Sequence, residues 1–97
     1  MVVHIVMFMF KDENKQANLI QAKQMLEGLM GAVPTLKSIE VGVNFSDEER
    51  AMDLSIITTF DDRAGLDAYA VHPEHLKVVA FIKEVVAYSK VVDYEKV

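Results

Sequence analysis

The sequence contains no cysteine. That excludes a disulfide framework, a thiolate-bound zinc and a cysteine nucleophile, and it leaves the redox compartment unread. Positive charge is not in excess either. The 10 Lys and Arg stand against 15 Asp and Glu, for a formal net charge of -5. A nucleic-acid or anionic-membrane partner calls for a basic stripe to neutralise phosphates, and none is present. There is no glycine-rich phosphate loop, no dinucleotide fingerprint and no Gly-x-Ser-x-Gly elbow. Phosphoryl transfer, nicotinamide chemistry and serine hydrolysis therefore have nothing to stand on. Long apolar runs are missing as well. The opening stretch Met1 to Lys11 is about half of the roughly 20 residues a membrane span needs. It also lacks the charged n-region and small-residue cleavage site of an export signal. The cytoplasm is the expected location.

What is present suits a folded domain. Hydrophobic residues make up 52% and charged residues 26% of 97 residues, enough to form one core and too short for two. The whole chain, 1–97, is expected to be a single domain. A domain of this size buries a modest core, so pairing with a second copy is a plausible source of stability.

Periodicity supplies the elements. Residues 2–11 alternate between Val2, His4, Val6, Phe8, Phe10 and Val3, Ile5, Met7, Met9, Lys11. Both sets are apolar, which marks a strand covered on both faces. Helices cover one face. In a chain this short, a partner's sheet is expected to cover the other. Lys11 to Asn14 reads as a polar turn. Residues 16–31 read as a helix with Leu19, Ala22, Leu26, Leu29 and Met30 on one stripe. Gly31 is placed for its C-terminal cap and Pro34 stops it. Lys37 to Phe45 and residues 52–60 read as strands, joined by a charged, solvated connector at 46–50. Asp61-Asp62 caps a helix over 62–70. Pro73 opens another that runs to about Val86. Residues 88–96 alternate again as a fourth strand. The order βαββαβ, with its second helix broken at Pro73, is the α+β ferredoxin-like pattern.

Three histidines could carry chemistry: His4, His72 and His75. His75 lies in a first helical turn, where the macrodipole favours neutral imidazole and adjacent Glu74 opposes it. Tyr69 could donate its hydroxyl to His75 or to a substrate oxygen. If His4 faces the helices, it meets this pair across the core, and Val6, Phe8, Leu26 and His72 line an apolar pocket with them. A structural reading stands beside each of these. His4 as a hydrogen-bonded core residue, His72 as a helix cap and Tyr69 as a core aromatic with its hydroxyl at the surface all fit the sequence. His72-x-x-His75 has no further His or Cys nearby, so no metal site is expected. The methionines, including Met7, Met9, Met25 and Met30, read as core filler.

The segments Val3-His4-Ile5-Val6, Lys37-Ser38-Ile39-Glu40-Val41-Gly42, Tyr69-Ala70-Val71-His72-Pro73-Glu74-His75 and Val91-Val92-Asp93-Tyr94 resemble the stress-responsive A/B barrel (Dabb) domain family. The likeness covers essentially the whole chain. It implies a dimeric α+β barrel, with two four-stranded sheets face to face and helices outside. The family includes a cofactor-free plant polyketide cyclase, olivetolic acid cyclase. Its pattern of a strand histidine, a tyrosine before His-Pro-x-His and the last histidine of that motif falls here on His4, Tyr69 and His75. Its aromatic polar residue on the first helix has no counterpart at Met25-Leu26. Two functions follow from the resemblance. One is a non-enzymatic homodimer that binds a small apolar ligand or none. The other is a cofactor-independent enzyme with His75 as general base, assisted by Tyr69 and His4 and acting on a small keto-containing compound. Neither calls for a cofactor.

Overall fold

Strand β1 (Val2–Phe10) lies in the middle of the molecule because both of its faces are apolar. The structure is a computed structural model that describes residues 1–97. Helix α1 (Lys15–Glu27) follows, then β2 (Ser38–Val43), β3 (Leu54–Phe60), α2 (Arg63–Ala70), α3 (Pro73–Val85) and β4 (Val86–Glu95). The four strands form one antiparallel sheet in the order β2-β3-β1-β4. The expected βαββαβ order and ferredoxin-like class are therefore observed. No helix is long and apolar enough to cross a membrane.

The two faces of β1 divide as the alternation requires. Val2, Phe8 and Phe10 enter the core with Val41, Leu54, Ile56 and Phe60 from the neighbouring strands. Leu19, Ala22 and Leu26 of α1, Tyr69 of α2 and Val78 of α3 close that core from the helix side. The other face carries no helix. There Met7, Tyr88, Val92 and Tyr94 stay 40–51% exposed. An apolar sheet face of this kind is the mark of a surface awaiting a partner.

Element ends differ from the sequence reading by one to four residues: β4, for one, begins at Val86 where 88 was expected, and three other differences stand beside local contacts. Helix α1 stops at Glu27, not at residue 31, and its C-cap is Gly28. Gly31 takes a left-handed φ of 86° that suits glycine and that no helix continues through, and Val33 N–H closes the turn on Leu29 O at 3.1 Å. Leu29 and Val33 are both buried, whereas Met30 is turned outward. Strand β2 ends at Val43, and Phe45 projects from the connector almost fully exposed instead of continuing the strand. An Asx turn at Asn44, whose Oδ1 accepts from Ser46 N–H at 3.0 Å, bends the chain away. Strand β3 begins at Leu54, two residues later than expected, and the Asp53 carboxylate just before it ties the sheet to the start of α1. Asp53 Oδ2 accepts from Phe10 N–H at 2.8 Å and lies 3.3 Å from Lys15 Nζ.

Helix α2 starts as expected on Asp62, whose carboxylate accepts from Gly65 N–H at 2.8 Å. Helix α3 starts on His72 and Pro73. Pro73 needs no donor at the first helical position, and His72 Nδ1 accepts from Glu74 N–H at 3.1 Å. Of the readings open for His72, capping is the one observed.

Candidate functional site

The α2–α3 junction brings the Tyr69-to-His75 motif beneath the start of β1. Tyr69 leaves the last turn of α2 and is only 1% exposed. Its ring packs against Phe60 of β3 with centroids 5.1 Å apart, and against His75 of α3 at 4.2 Å. His4 meets it from β1, edge-on, at 6.5 Å. His4 therefore faces the helices, and the three expected residues form one cluster.

The hydrogen bonds assign each imidazole. His75 Nδ1 lies 3.0 Å from Ala70 O. A carbonyl only accepts, so Nδ1 carries the proton and Nε2 of the neutral ring presents a lone pair. The bond also satisfies one of the orphan carbonyls at the end of α2. His72 is the opposite tautomer, because its Nδ1 is the acceptor in the cap. His4 Nδ1 bonds the carboxylate of Asp93 on β4, which leaves its Nε2 free in the neutral ring. Thr58, fully buried opposite His4 in the β1–β3 register, donates its hydroxyl to His4 O at 3.2 Å and fixes the strand beneath the ring.

Burial sets the protonation. Desolvation lowers the His75 pKa below its ordinary value. The Ala70 bond works against this, and repulsion from His4 and His72 adds to it. His75 is consequently neutral at pH 7. The Tyr69 phenol is pushed up to about 12 by burial. Its hydroxyl is enclosed and makes no hydrogen bond. This departs from the sequence reading twice: the oxygen is not at the surface, and it does not donate to His75. The two rings stack, and His75 spends its proton on Ala70 instead.

The Tyr69 shift has a measurable consequence. The unfolded chain loses the phenolic proton from about pH 10, whereas the folded chain holds it. Stability is thus expected to fall as pH rises through 10 towards 12, by roughly 2–3 kcal/mol from this group. Urea denaturation at pH 9 and pH 11.5 would show it, and the Tyr69→Phe variant should lose that part of the slope.

Val6 is half-buried, Phe8 and Leu26 are packed in the core and His72 is partly exposed. None of the larger cavities is lined by these residues or by His4, Tyr69 and His75. A groove of about 390 Å³ is bounded by Val2, Leu66, Asp93 and the Arg63–Glu95 ion pair. It reaches the cluster through Asp93, the partner of His4. Asp93 is the residue that motif reading missed. Strand alternation alone places it on a face, and only the β1–β4 register puts it opposite His4. No group of three or more His, Cys, Asp or Glu side chains is positioned to hold a metal ion.

The chain matches the model of the stress responsive A/B barrel domain over residues 2–96. It belongs to that family. A dimeric ferredoxin-like protein of unknown function from Bacteroides fragilis is similar, with 28% identity over 98% of this chain and 95% of its own and a TM-score of 0.89. Another, from a Jannaschia species, is 30% identical over 98% of both chains, with a TM-score of 0.82. The dimeric state of these ferredoxin-like proteins supports a homodimer here. The hydroxynitrile lyase of Passiflora edulis shares the fold at 22% identity, with a TM-score of 0.84 over 96% of this chain and 90% of its own. No curated protein sequence is significantly similar. The family and the fold are thus established, and the enzymes among its structural neighbours do not fix one activity.

Proposed function

We propose that this A/B barrel protein is a homodimer joined through its open sheet face, and that each subunit binds a small, largely apolar molecule through one oxygen at the His4–Tyr69–His75 cluster. The buried, unpartnered Tyr69 hydroxyl carries this reading. Leaving such a donor unmade costs about 1–3 kcal/mol, so folding alone gives no reason to keep it. A carbonyl or hydroxyl oxygen of a ligand would satisfy it. The free Nε2 of neutral His75 would accept a proton from the same molecule. Aromatic walls from Phe60 and Tyr69 suit an aromatic or β-keto compound. Entry calls for movement of side chains around the Asp93 groove, because the rings at the cluster are in contact.

A second reading rests on the tautomer of His75. With Nδ1 held by Ala70 and the ring neutral, Nε2 is poised as a general base for a proton next to a carbonyl. Tyr69 would then stabilise the developing oxyanion. One panel of small aromatic ketones and β-keto compounds tests both. Titration calorimetry with wild type is expected to find a saturable ligand, and Tyr69→Phe and His75→Ala should each weaken it by tenfold or more. Turnover of that ligand, lost in His75→Ala, would favour the enzyme. Binding without turnover would favour the carrier. A panel that binds wild type and both variants equally would sink the site.

A further inference from the structure

His72 joins the two helices that carry the site. Only Val71 and His72 separate α2, which ends at Ala70 beside Tyr69, from α3, which opens on Pro73. His72 is bonded in both directions. Its backbone N–H donates to Tyr69 O at 3.1 Å, and its carbonyl accepts from Leu76 N–H at 2.9 Å. The side chain adds a third bond, with Nδ1 accepting from Glu74 N–H at 3.1 Å. His75 lies within that same first turn, stacked on Tyr69 and tied back to Ala70 O. The turn that His72 caps therefore sets where the His75 ring stands.

This cap differs chemically from the usual ones. Ser, Thr and Asn accept whatever the pH, and Asp does so at any pH near neutral. An imidazole accepts only through a nitrogen without a proton, and histidine is the side chain that changes charge between pH 5 and 8. A proton on Nδ1 turns the acceptor into a donor that confronts Glu74 N–H. It also places positive charge at the positive end of the α3 macrodipole and next to His75. The other charged and titratable groups of the region are few. On α3, Glu74 holds Lys77 at 3.3 Å. From the sheet, His4 approaches Tyr69 and is bonded to Asp93. On α2, Asp67 lines the groove with Asp93. Asp93 and Lys77 are thus engaged elsewhere, and the partner of the His72 ring is the Glu74 amide.

We propose that His72 is a positioning residue for the Tyr69–His75 pair and that a proton operates it: neutral, it holds the first turn of α3 closed against Tyr69, and protonated, it releases the turn so that His75 moves off the phenol. Release uncovers the unpartnered Tyr69 hydroxyl and His75 Nε2 together. That is the movement ligand entry calls for, so mild acid favours exchange of a bound molecule and neutral pH favours its retention. This use of the latch rests on the binding site proposed above, whereas the latch itself is read without a ligand.

The test compares the ligand-free protein with His72→Asn and His72→Ala by NMR, from pH 8 to about 5.5. Asparagine caps a helix without titrating, and alanine does neither. One readout is the exchange protection of the Leu76 amide, corrected for the intrinsic pH dependence of exchange. The other is the set of NOEs between the Tyr69 and His75 rings. A lost cap corresponds to roughly fivefold in a local opening equilibrium. Wild type is expected to lose at least that much protection on acidification, and its ring NOEs should fade. H72N should keep both across the range. H72A should be poorly protected at both ends, and should it fail to fold, wild type against H72N still decides. A flat profile in wild type would overturn the latch. So would a fall in H72N equal to that of wild type, which would assign the response to His75 or His4. No ligand takes part, so a ketone panel that fails to bind leaves the latch standing, and a flat profile leaves the binding site standing.

Discussion

Tyr69→Phe is expected to stabilise the unliganded protein by about 1–2 kcal/mol, because it removes a buried hydroxyl that has no partner and leaves the ring in place. For a chain of this length that is a rise in Tm of roughly 4–8 °C per kcal/mol. Aromatic-to-aromatic changes in a packed core usually lower stability, so the sign is informative. The contacts with Phe60 and His75 are made by the ring and survive the substitution. The same change should weaken ligand binding by tenfold or more, since the ligand's oxygen loses its donor. Stability gained and binding lost together are the signature of a residue kept for function. Urea denaturation of the two proteins without ligand decides it. A loss of more than about 1 kcal/mol in the variant would show that the hydroxyl is satisfied in solution and has a structural role.

The second large effect concerns assembly. Met7→Asp puts a carboxylate in the middle of the open face, where the alternation of β1 leaves Met7 40% exposed in the single subunit. The monomer tolerates it, because the group stays in water. A dimer closed over that face would bury an unpaired charge, at a cost of about 3–5 kcal/mol. Dimer affinity should fall by roughly two orders of magnitude or more, read as a halved mass by light scattering at micromolar concentration. A variant that keeps the wild-type mass would assign the dimer contact to another surface. Met7 also corrects the view of methionine as uniform core filler. Met25 packs against the core, whereas Met7 and Met30 do not.

Much of the fold was legible because it is written in short-range periodicity. The period-two alternation of β1 showed two apolar faces, and the structure gives one to the helices and leaves one open. Pro73 and His72 announced a helix start, and both act there. The ends of elements were less legible, because side chains from distant segments decide them. Asp53 reads as an ordinary strand residue, and nothing in its neighbours shows that its carboxylate accepts from Phe10 N–H and pairs with Lys15. Helix α1 looks longer than it is until the core takes Leu29 and Val33 from a turn.

The site divides in the same way. His4, Tyr69 and His75 are residue types that carry proton chemistry, and the alternation of β1 allowed His4 to face the other two. Their company was not visible. Asp93 is 89 positions from His4, and only the pairing of first and last strands joins them. The Ala70 carbonyl that fixes the His75 tautomer is backbone, which no motif displays. The missing partner of the Tyr69 hydroxyl is a property of packing, and it is the observation on which the functional proposal turns.

That proposal is tested most directly by native mass spectrometry of the purified homodimer beside its Tyr69→Phe variant. Wild type is expected to carry a small organic molecule, one per subunit, that is absent from the variant. Identical bare masses after both proteins have been incubated with the ketone panel would contradict it.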